Sequence, residues 1–476
     1  MDTNLSAKKP ASVMPELAKL DATAQAELVR KGELTALELV EAGISRIEQV
    51  NPQVNAVVAT FYDRAREAAK GKLPQGPFTG VPNLVKDLDN LKGTRATSGS
   101  RFLAENISAE TDPIIAAKEN AGFIMVGKSN TPEFGLLGTT ESLLLGACNN
   151  PWNLAHSPGG SSGGAAAAVA SGMVPVAHAT DGGGSIRIPA SCCGVFGLKP
   201  SRGRIELGER QLPGDIGFQH CVSRSVRDSA TLLAATERTG AAAVLPPIGR
   251  VEGPGRKRLR IAFGTMDYKG REPAPDVKAA IEDVAKLCAG LGHEIVPVKN
   301  PIAGEAFENA FLAAWASGPA ELVALTKQMG LDPQAVLEPW TLGLAALFNA
   351  KPADTLEKSL AHFAKVTAET TTFMKDYDVW LTPVLAAAPP KTGEQAPTVP
   401  FDTLYERVFN YVTYTPLHNV VGTPAMSVPL SWNAAGLPIG AQFAASPGQE
   451  KVLLELAFEL EQARPWADKY APVFAG

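Results

Sequence analysis

Two serines stand in runs of glycine: Ser161 in GGSSGG, flanked by Gly159, Gly160, Gly163 and Gly164, and Ser185 in TDGGGSIR, directly after Gly182, Gly183 and Gly184. Glycine opens backbone conformations closed to other residues and lets the chain pass close to a substrate or a packed neighbour. Consecutive unencumbered amides, as at Gly182, Gly183 and Gly184, form a natural nest for negative charge. Ser185 therefore sits where a nucleophile attacking a carbonyl would stand. The run Ala165 to Ala170 has the composition of a tightly packed helix, with Ser161 and Ser162 near its N-terminus, where the helix dipole favours anionic character. One such turn alone would be read as packing; two in one stretch, each offering a serine, argue for catalysis. No histidine adjoins either serine, so the pattern needs a base of another kind.

A lysine is the candidate. The apolar run Val81 to Leu88 reads as a short strand with Lys86 in its middle. On a surface strand that lysine would be solvated, but Leu84, Val85 and Leu88 argue for burial, which disfavours the ammonium and moves the group towards the neutral amine a base requires.

GGSSGG followed by TDGGGSIRIPA and then GLKP resembles the amidase signature family, serine hydrolases with a Ser-Ser-Lys triad. The resemblance extends upstream through GVPNLVKDL and GKSNTPEFG and downstream through SVRD, covering the first half strongly and the second diffusely. Within the family it points to the branch of aryl acylamidases, 6-aminohexanoate cyclic dimer hydrolases and urethanases. It implies Ser185 as nucleophile, Ser161 as proton relay behind a cis peptide, and Lys86 as ultimate base. It implies the amides of Gly182, Gly183, Gly184 and Ser185 as the oxyanion hole, with Asp181 and Arg187 bracing the loop. Gly182 replaces the β-branched residue that many members carry there, which implies a looser loop. Gly135, Leu136 and Leu137 become substrate contacts on the acyl side, for which ordinary loop packing is an equal reading. The reaction implied is hydrolysis of the C–N bond of a carboxylic amide through an acyl-enzyme, without metal or organic cofactor. The apolar, Phe-containing cap segment, with Phe409, Tyr411 and Tyr414, favours a hydrophobic substrate, an aryl amide, an anilide, a short nylon-type oligoamide or a carbamate, while core packing is an equal reading of those aromatics.

Other readings compete. Gly159-x-Ser161-x-Gly163 also satisfies the nucleophile elbow of α/β-hydrolases, which would make Ser161 or Ser162 the nucleophile, with His178, His220, His293, His362 or His418 as base. A phosphate-binding module is disfavoured because no Gly-Lys-Ser/Thr follows either glycine loop. A subunit releasing ammonia from glutamine within a complex shares the same signature.

The elements that must position these residues follow from the rest of the chain. With 476 residues, 45% hydrophobic and 20% charged, it can bury a large core. The net charge of -5, with no basic block longer than RKRLR at 256–260, argues against a nucleic-acid or membrane-surface partner. The five cysteines lack metal-ligand spacing and read as reduced, buried thiols. No apolar run reaches a membrane-spanning length and the N-terminal residues lack a signal-peptide core, so the cytoplasm is expected, with the protein a monomer or homodimer. The expected fold is α/β, a large mixed twisted sheet covered by helices on both faces, in one domain. Residues 1–72 read as N-terminal helices, 73–245 as the signature core, 246–375 as strands plus a helical cap, and 376–476 as a return to the core sheet. Within the first segment, the chain from Val54 to Lys70 reads as one helix, and Thr35 with Glu38 as a capping box.

Overall fold

The computed structural model describes residues 16–206, 213–302 and 304–476. Its strands fall into three sets. β1 (Val57–Thr60), β2 (Pro82–Lys86) and β3 (Ile124–Ser129) form a small sheet in the order β1-β3-β2, and β4 (Glu141–Ser142) pairs with β5 (Gly146–Ala147). The other strands are β6 (Val176–Asp181), β7 (Phe196–Lys199), β8 (Phe218–Ser223), β9 (Arg260–Phe263), β10 (Glu294–Pro297), β11 (Val379–Pro383), β12 (Ala425–Trp432) and β13 (Pro438–Ala444). They form one eight-stranded mixed sheet in the order β10-β9-β11-β13-β12-β7-β8-β6. β12 pairs with β7, so the last strands of the chain close onto strands from the first half. The Pro/Gly-rich stretch 245–258 thus connects two parts of one sheet.

The N-terminal elements form for local reasons. The helix Ala36–Val54 begins at Thr35, whose side chain accepts from the Glu38 amide while Glu38 reaches back to the Thr35 amide, the reciprocal capping box. It ends at Asn55, in the left-handed conformation. The expected continuous helix from Val54 to Lys70 is instead strand β1 followed by a helix at Tyr62–Lys70. Two adjacent valines favour extended backbone, and antiparallel pairing with β3 secures it.

Two features create the site. First, β2 packs beside β6, the last strand of the large sheet, so the two sheets meet at a seam. Second, the helix Gly163–Ala170 is buried on every side. Its first turn lies so close to the end of β3 that a Cβ on Gly164 would come within 2.3 Å of the Asn130 amide nitrogen. Small residues are what allow GGSSGG to reach the end of β2. The helices Gly304–Gln328, Pro339–Asn349, Thr355–Met374 and Phe401–Tyr411 enclose a separate apolar cluster that includes Phe311, Trp340, Trp380 and Phe409.

Candidate active site

Lys86 ends β2, and no part of it reaches solvent. Its Nζ lies 2.7 Å from Ser161 Oγ, 2.8 Å from Ser162 Oγ and 2.9 Å from Thr180 Oγ1. Burial lowers its pKa to about 7, against the opposing pull of the Asp89 and Asp181 carboxylates. Amine and ammonium are then both well populated near neutrality. The peptide bond Gly160–Ser161 is cis.

The neighbouring hydroxyls fix how the protons are arranged. Ser162 Oγ donates to the Thr180 carbonyl at 3.1 Å and accepts from the Thr180 amide at 3.2 Å. With its own proton engaged, Ser162 can only accept from Lys86. A neutral lysine has two N–H donors and one lone pair, so with Ser162 and Thr180 as acceptors the lone pair is left to the Ser161 hydroxyl.

Ser185 lies across from this cluster, on the turn between β6 and the helix Arg187–Cys193. The turn is organised by Asp181, whose carboxylate accepts from the amides of Gly184 at 2.7 Å and Ile186 at 3.1 Å. Arg187 donates twice to the same carboxylate, at 3.0 and 2.9 Å. Desolvation would raise the Asp181 pKa, but Arg187, Asn419 and Lys199 outweigh it and hold the carboxyl at about 2. Arg187 also donates to Thr415 O, Gln442 Oε1 and Asn419 Oδ1, and Asn419 Nδ2 returns to Asp181. Both residues therefore brace the loop, as expected.

The expected oxyanion donors divide. The Gly184 amide is engaged by Asp181 inside the loop, whereas the amides of Gly182, Gly183 and Ser185 have no hydrogen-bond partner among the described residues. Gly184 is glycine for space: its φ is +135°, and a Cβ there would lie 2.2 Å from Thr415 Oγ1. Gly182 is flanked by Asp181 and by Gly183, whose carbonyl accepts from Thr415 Oγ1 at 2.6 Å, so the looseness expected at Gly182 is bounded on both sides.

Ser185 opens onto a narrow, solvent-open cavity whose walls include Gly135, Leu136, Leu137, Trp315, Trp340 and Phe409. The three loop residues singled out in the sequence thus face the same space as Ser185. A wider cavity shares Leu136 and Trp315 and runs along Asp89, Thr180 and Gly182. Tyr411 and Tyr414 do not line the Ser185 cavity: the Tyr411 hydroxyl meets Cys192 Sγ, and the Tyr414 hydroxyl donates to the Thr265 carbonyl.

The histidines are engaged elsewhere. His178 bonds to Asp89 and Lys118, His220 to Ser229, His293 to Glu459 and His418 to Thr423, and His362 Nε2 has no partner among the described residues. No histidine bonds to Ser161, Ser162 or Ser185 among the described residues, which removes the geometry an α/β-hydrolase triad requires. All five cysteines are buried and unpaired. No described helix is long and apolar enough to cross a membrane, and no group of three or more His, Cys, Asp or Glu is gathered for a metal ion among the described residues.

Sequence reasoning gave no role to Thr180, Thr415, Asn419 or Gln442. Gln442 did carry a signal, as an isolated polar side chain in the apolar run LPIGAQFAAS, and it proves to be a buried acceptor for Arg187.

The fold is α/β, with a buried cluster of Lys86 and serine hydroxyls where its two sheets meet, and the comparisons place it among hydrolases. The family described as Amidase matches residues 38–454. A putative amidase AmiC of Mycobacterium tuberculosis is 39% identical over 465 residues, covering 96% of this chain and 98% of that protein. The structure of a 6-aminohexanoate cyclic dimer hydrolase superposes with a TM-score of 0.88 at 32% identity, covering 96% of this chain and 99% of the other. A bacterial aryl acylamidase of the amidase signature family gives 0.85 at 27% identity, covering 95% and 98%. The chain belongs to the amidase signature family.

Proposed function

We propose that this amidase-family hydrolase cleaves small hydrophobic amides through an acyl-enzyme on Ser185, with Ser161 as relay and Lys86 as base. The observation that carries the reading is the fully buried Lys86, 2.7 Å from Ser161 Oγ, behind a serine that opens onto an apolar cavity. As Ser185 Oγ attacks the carbonyl, its proton passes to Ser161 while the Ser161 proton moves onto the Lys86 lone pair. The oxyanion is received by the amides of Gly182, Gly183 and Ser185; one such donor is typically worth about 2.7–4 kcal/mol. Collapse returns the proton through Ser161 to the leaving nitrogen, and a water activated along the same path releases the acid.

The substrate class follows from the cavity wall, which contributes Leu136, Trp315, Trp340 and Phe409 and no charged side chain. Aryl amides, anilides, carbamates and 6-aminohexanoate-type amides fit that character, and the named relatives act on two of these classes. The test is a panel of anilides, carbamates, aliphatic amides and matched esters, run with labelling by a fluorophosphonate probe. Turnover of apolar amides, with labelling abolished by Ser185→Ala, is expected. Ammonia released from glutamine alone, and only with co-purified partner chains, would replace this reading with an amidotransferase subunit.

A further inference from the structure

Behind Lys86 lies a second buried polar chain that the reaction above does not use. β6 places His178 and Thr180 two residues apart, hence on one face of the strand. Thr180 meets Lys86 Nζ at 2.9 Å, and His178 Nε2 meets Asp89 Oδ2 at 3.1 Å. Asp89 belongs to the turn that follows Lys86, its amide donating to the Lys86 carbonyl. On the far side of the imidazole, Nδ1 lies 2.5 Å from Lys118 Nζ, which also donates to the His220 carbonyl at 2.6 Å. A lysine that close to an imidazole nitrogen is the donor, so Nδ1 accepts and Nε2 carries the proton that it gives to Asp89. Lys118 and His178 are fully buried and Asp89 is 3% exposed.

We propose that the chain Lys118–His178–Asp89 sets the electrostatic environment of Lys86, with Asp89 a positioning residue that acts through the catalytic lysine. The inference rests on Lys86 being the base. The charged groups around Lys86 support it. Asp181 is neutralised by Arg187, with Lys199 also nearby. The Asp87 carboxylate is turned to Thr97 and the Gly99 amide, near Lys128, and Lys128 donates to the Asp89 carbonyl. The Asp89 carboxylate has among its contacts His178 Nε2 and Gln219 Nε2, each at 3.1 Å, and Lys118 lies one link beyond the imidazole. Of the two carboxylates that favour the ammonium of Lys86, Asp89 acts more strongly than Asp181.

The test is the acid limb of kcat/KM on an amide substrate. Asp89→Asn removes one charge and keeps the shape. His178 can still donate to the carbonyl oxygen of the new side chain, and Gln219, whose Oε1 has no partner among the described residues, can turn its amide to accept from the new NH2. Less negative charge makes the ammonium easier to deprotonate, so the limb should move down by about one pH unit, giving roughly fivefold more relative activity one unit below the wild-type midpoint. Its plateau should fall, because a weaker base takes the proton less readily. Lys118→Met removes a positive charge and should move the limb up by a smaller amount. Asp89→Glu should restore the wild-type limb. A structural role alone would not give opposite shifts from opposite charges. Midpoints of Asp89→Asn and Lys118→Met within about 0.2 unit of wild type, or shifts in one direction, overturn the inference. If Asp89→Asn does not fold, an unmoved limb in Lys118→Met does so by itself. Lys86→Met serves as the control for the underlying reading: should it retain the limb, the base assignment fails rather than the role of Asp89.

Discussion

The seam between the two sheets and the wall facing it are built on opposite principles. At the seam, Lys86 Nζ meets the hydroxyls of Ser161, Ser162 and Thr180, and all of these but the half-buried Thr180 are almost wholly removed from water. The wall, by contrast, is a layer of apolar side chains contributed by Leu136, Trp315, Trp340 and Phe409, held by packing. A polar network in low dielectric is demanding: each group must be satisfied, and a missing partner costs about 1–3 kcal/mol. An apolar wall tolerates exchange, since volume-conserving changes usually cost under about 1.5 kcal/mol. On the proposed reading, chemistry is fixed at the seam while substrate choice is left to the wall.

The largest effects should come from breaking the seam. Ser185→Ala should abolish acyl-enzyme formation, and Lys86→Met should lower kcat by several orders of magnitude, both read by single-turnover kinetics. Lys86→Met should at the same time keep or raise the melting temperature at pH 7. The sign follows from linkage. The folded-state pKa of Lys86, about 7, lies below the ordinary lysine value of 10.5, so the unfolded chain binds the extra proton and stability rises with pH between those values. The advantage of the methionine variant should be greatest at or below pH 7 and fade towards pH 10.5, as followed by thermal melts across that range. A variant equally destabilised at every pH would show that the lysine is structural.

The next effect is the pH profile itself. If the neutral amine of Lys86 is the base, as proposed, activity should rise with pH through a midpoint near 7. That limb mimics a histidine, so His220→Ala, His293→Ala and His418→Ala are the decisive controls, and each should retain it. On matched substrates, Lys86→Ala should damage amide hydrolysis more than ester hydrolysis, since an amine leaving group needs the returned proton and an alkoxide needs it less. Equal losses on both would break the Ser-Ser-Lys assignment.

The same contrast explains what could be read from the sequence. The seam is local in chain terms: GGSSGG and TDGGGSIR lie in one stretch, and a lysine amid Leu84, Val85 and Leu88 announces its burial. Burial alone would not have singled it out, since Lys118, Lys128 and Lys199 are equally enclosed, but their amines meet a histidine ring or backbone carbonyls rather than a cluster of hydroxyls. The brace was half visible. Asp181 and Arg187 sit in the motif, whereas Thr415, Asn419 and Gln442 arrive from the other end of the chain and only the closing of β12 and β13 onto β7 brings them near. The wall was least legible, because Phe409 faces the cavity while Tyr411 and Tyr414 nearby do not, a distinction set by the rotation of one helix and its exit. Strand β1 was hidden for a related reason: four residues with an Ala and two Val suit a helix as well as a strand until β3 pairs with them.

The brace offers an intermediate test. Asn419→Ala removes donors to Asp181 and an acceptor for Arg187 without touching substrate, so it should lower kcat about 10- to 100-fold with little change in KM if loop geometry serves the transition state. A change confined to KM would place the loop on the binding side of the contrast.

The smallest effects are expected from the wall, and they sharpen the comparison most. Trp315 borders both cavities, so Trp315→Ala joins the narrow space at Ser185 to the wider one beside Asp89 and Gly182. Removing the ring gives up part of the substrate's apolar contact, worth about 1.4 kcal/mol or less, so small aryl amides should lose about 10-fold or less in kcat/KM, mostly through KM. Bulkier amides should lose less, or gain, because the space vacated accommodates them. The seam is untouched, so the acid limb should stay where it is and fluorophosphonate labelling of Ser185 should proceed at the wild-type rate. A moved limb or slowed labelling in Trp315→Ala would mean that the wall also shapes the chemistry, and that the division between fixed seam and adaptable wall does not hold.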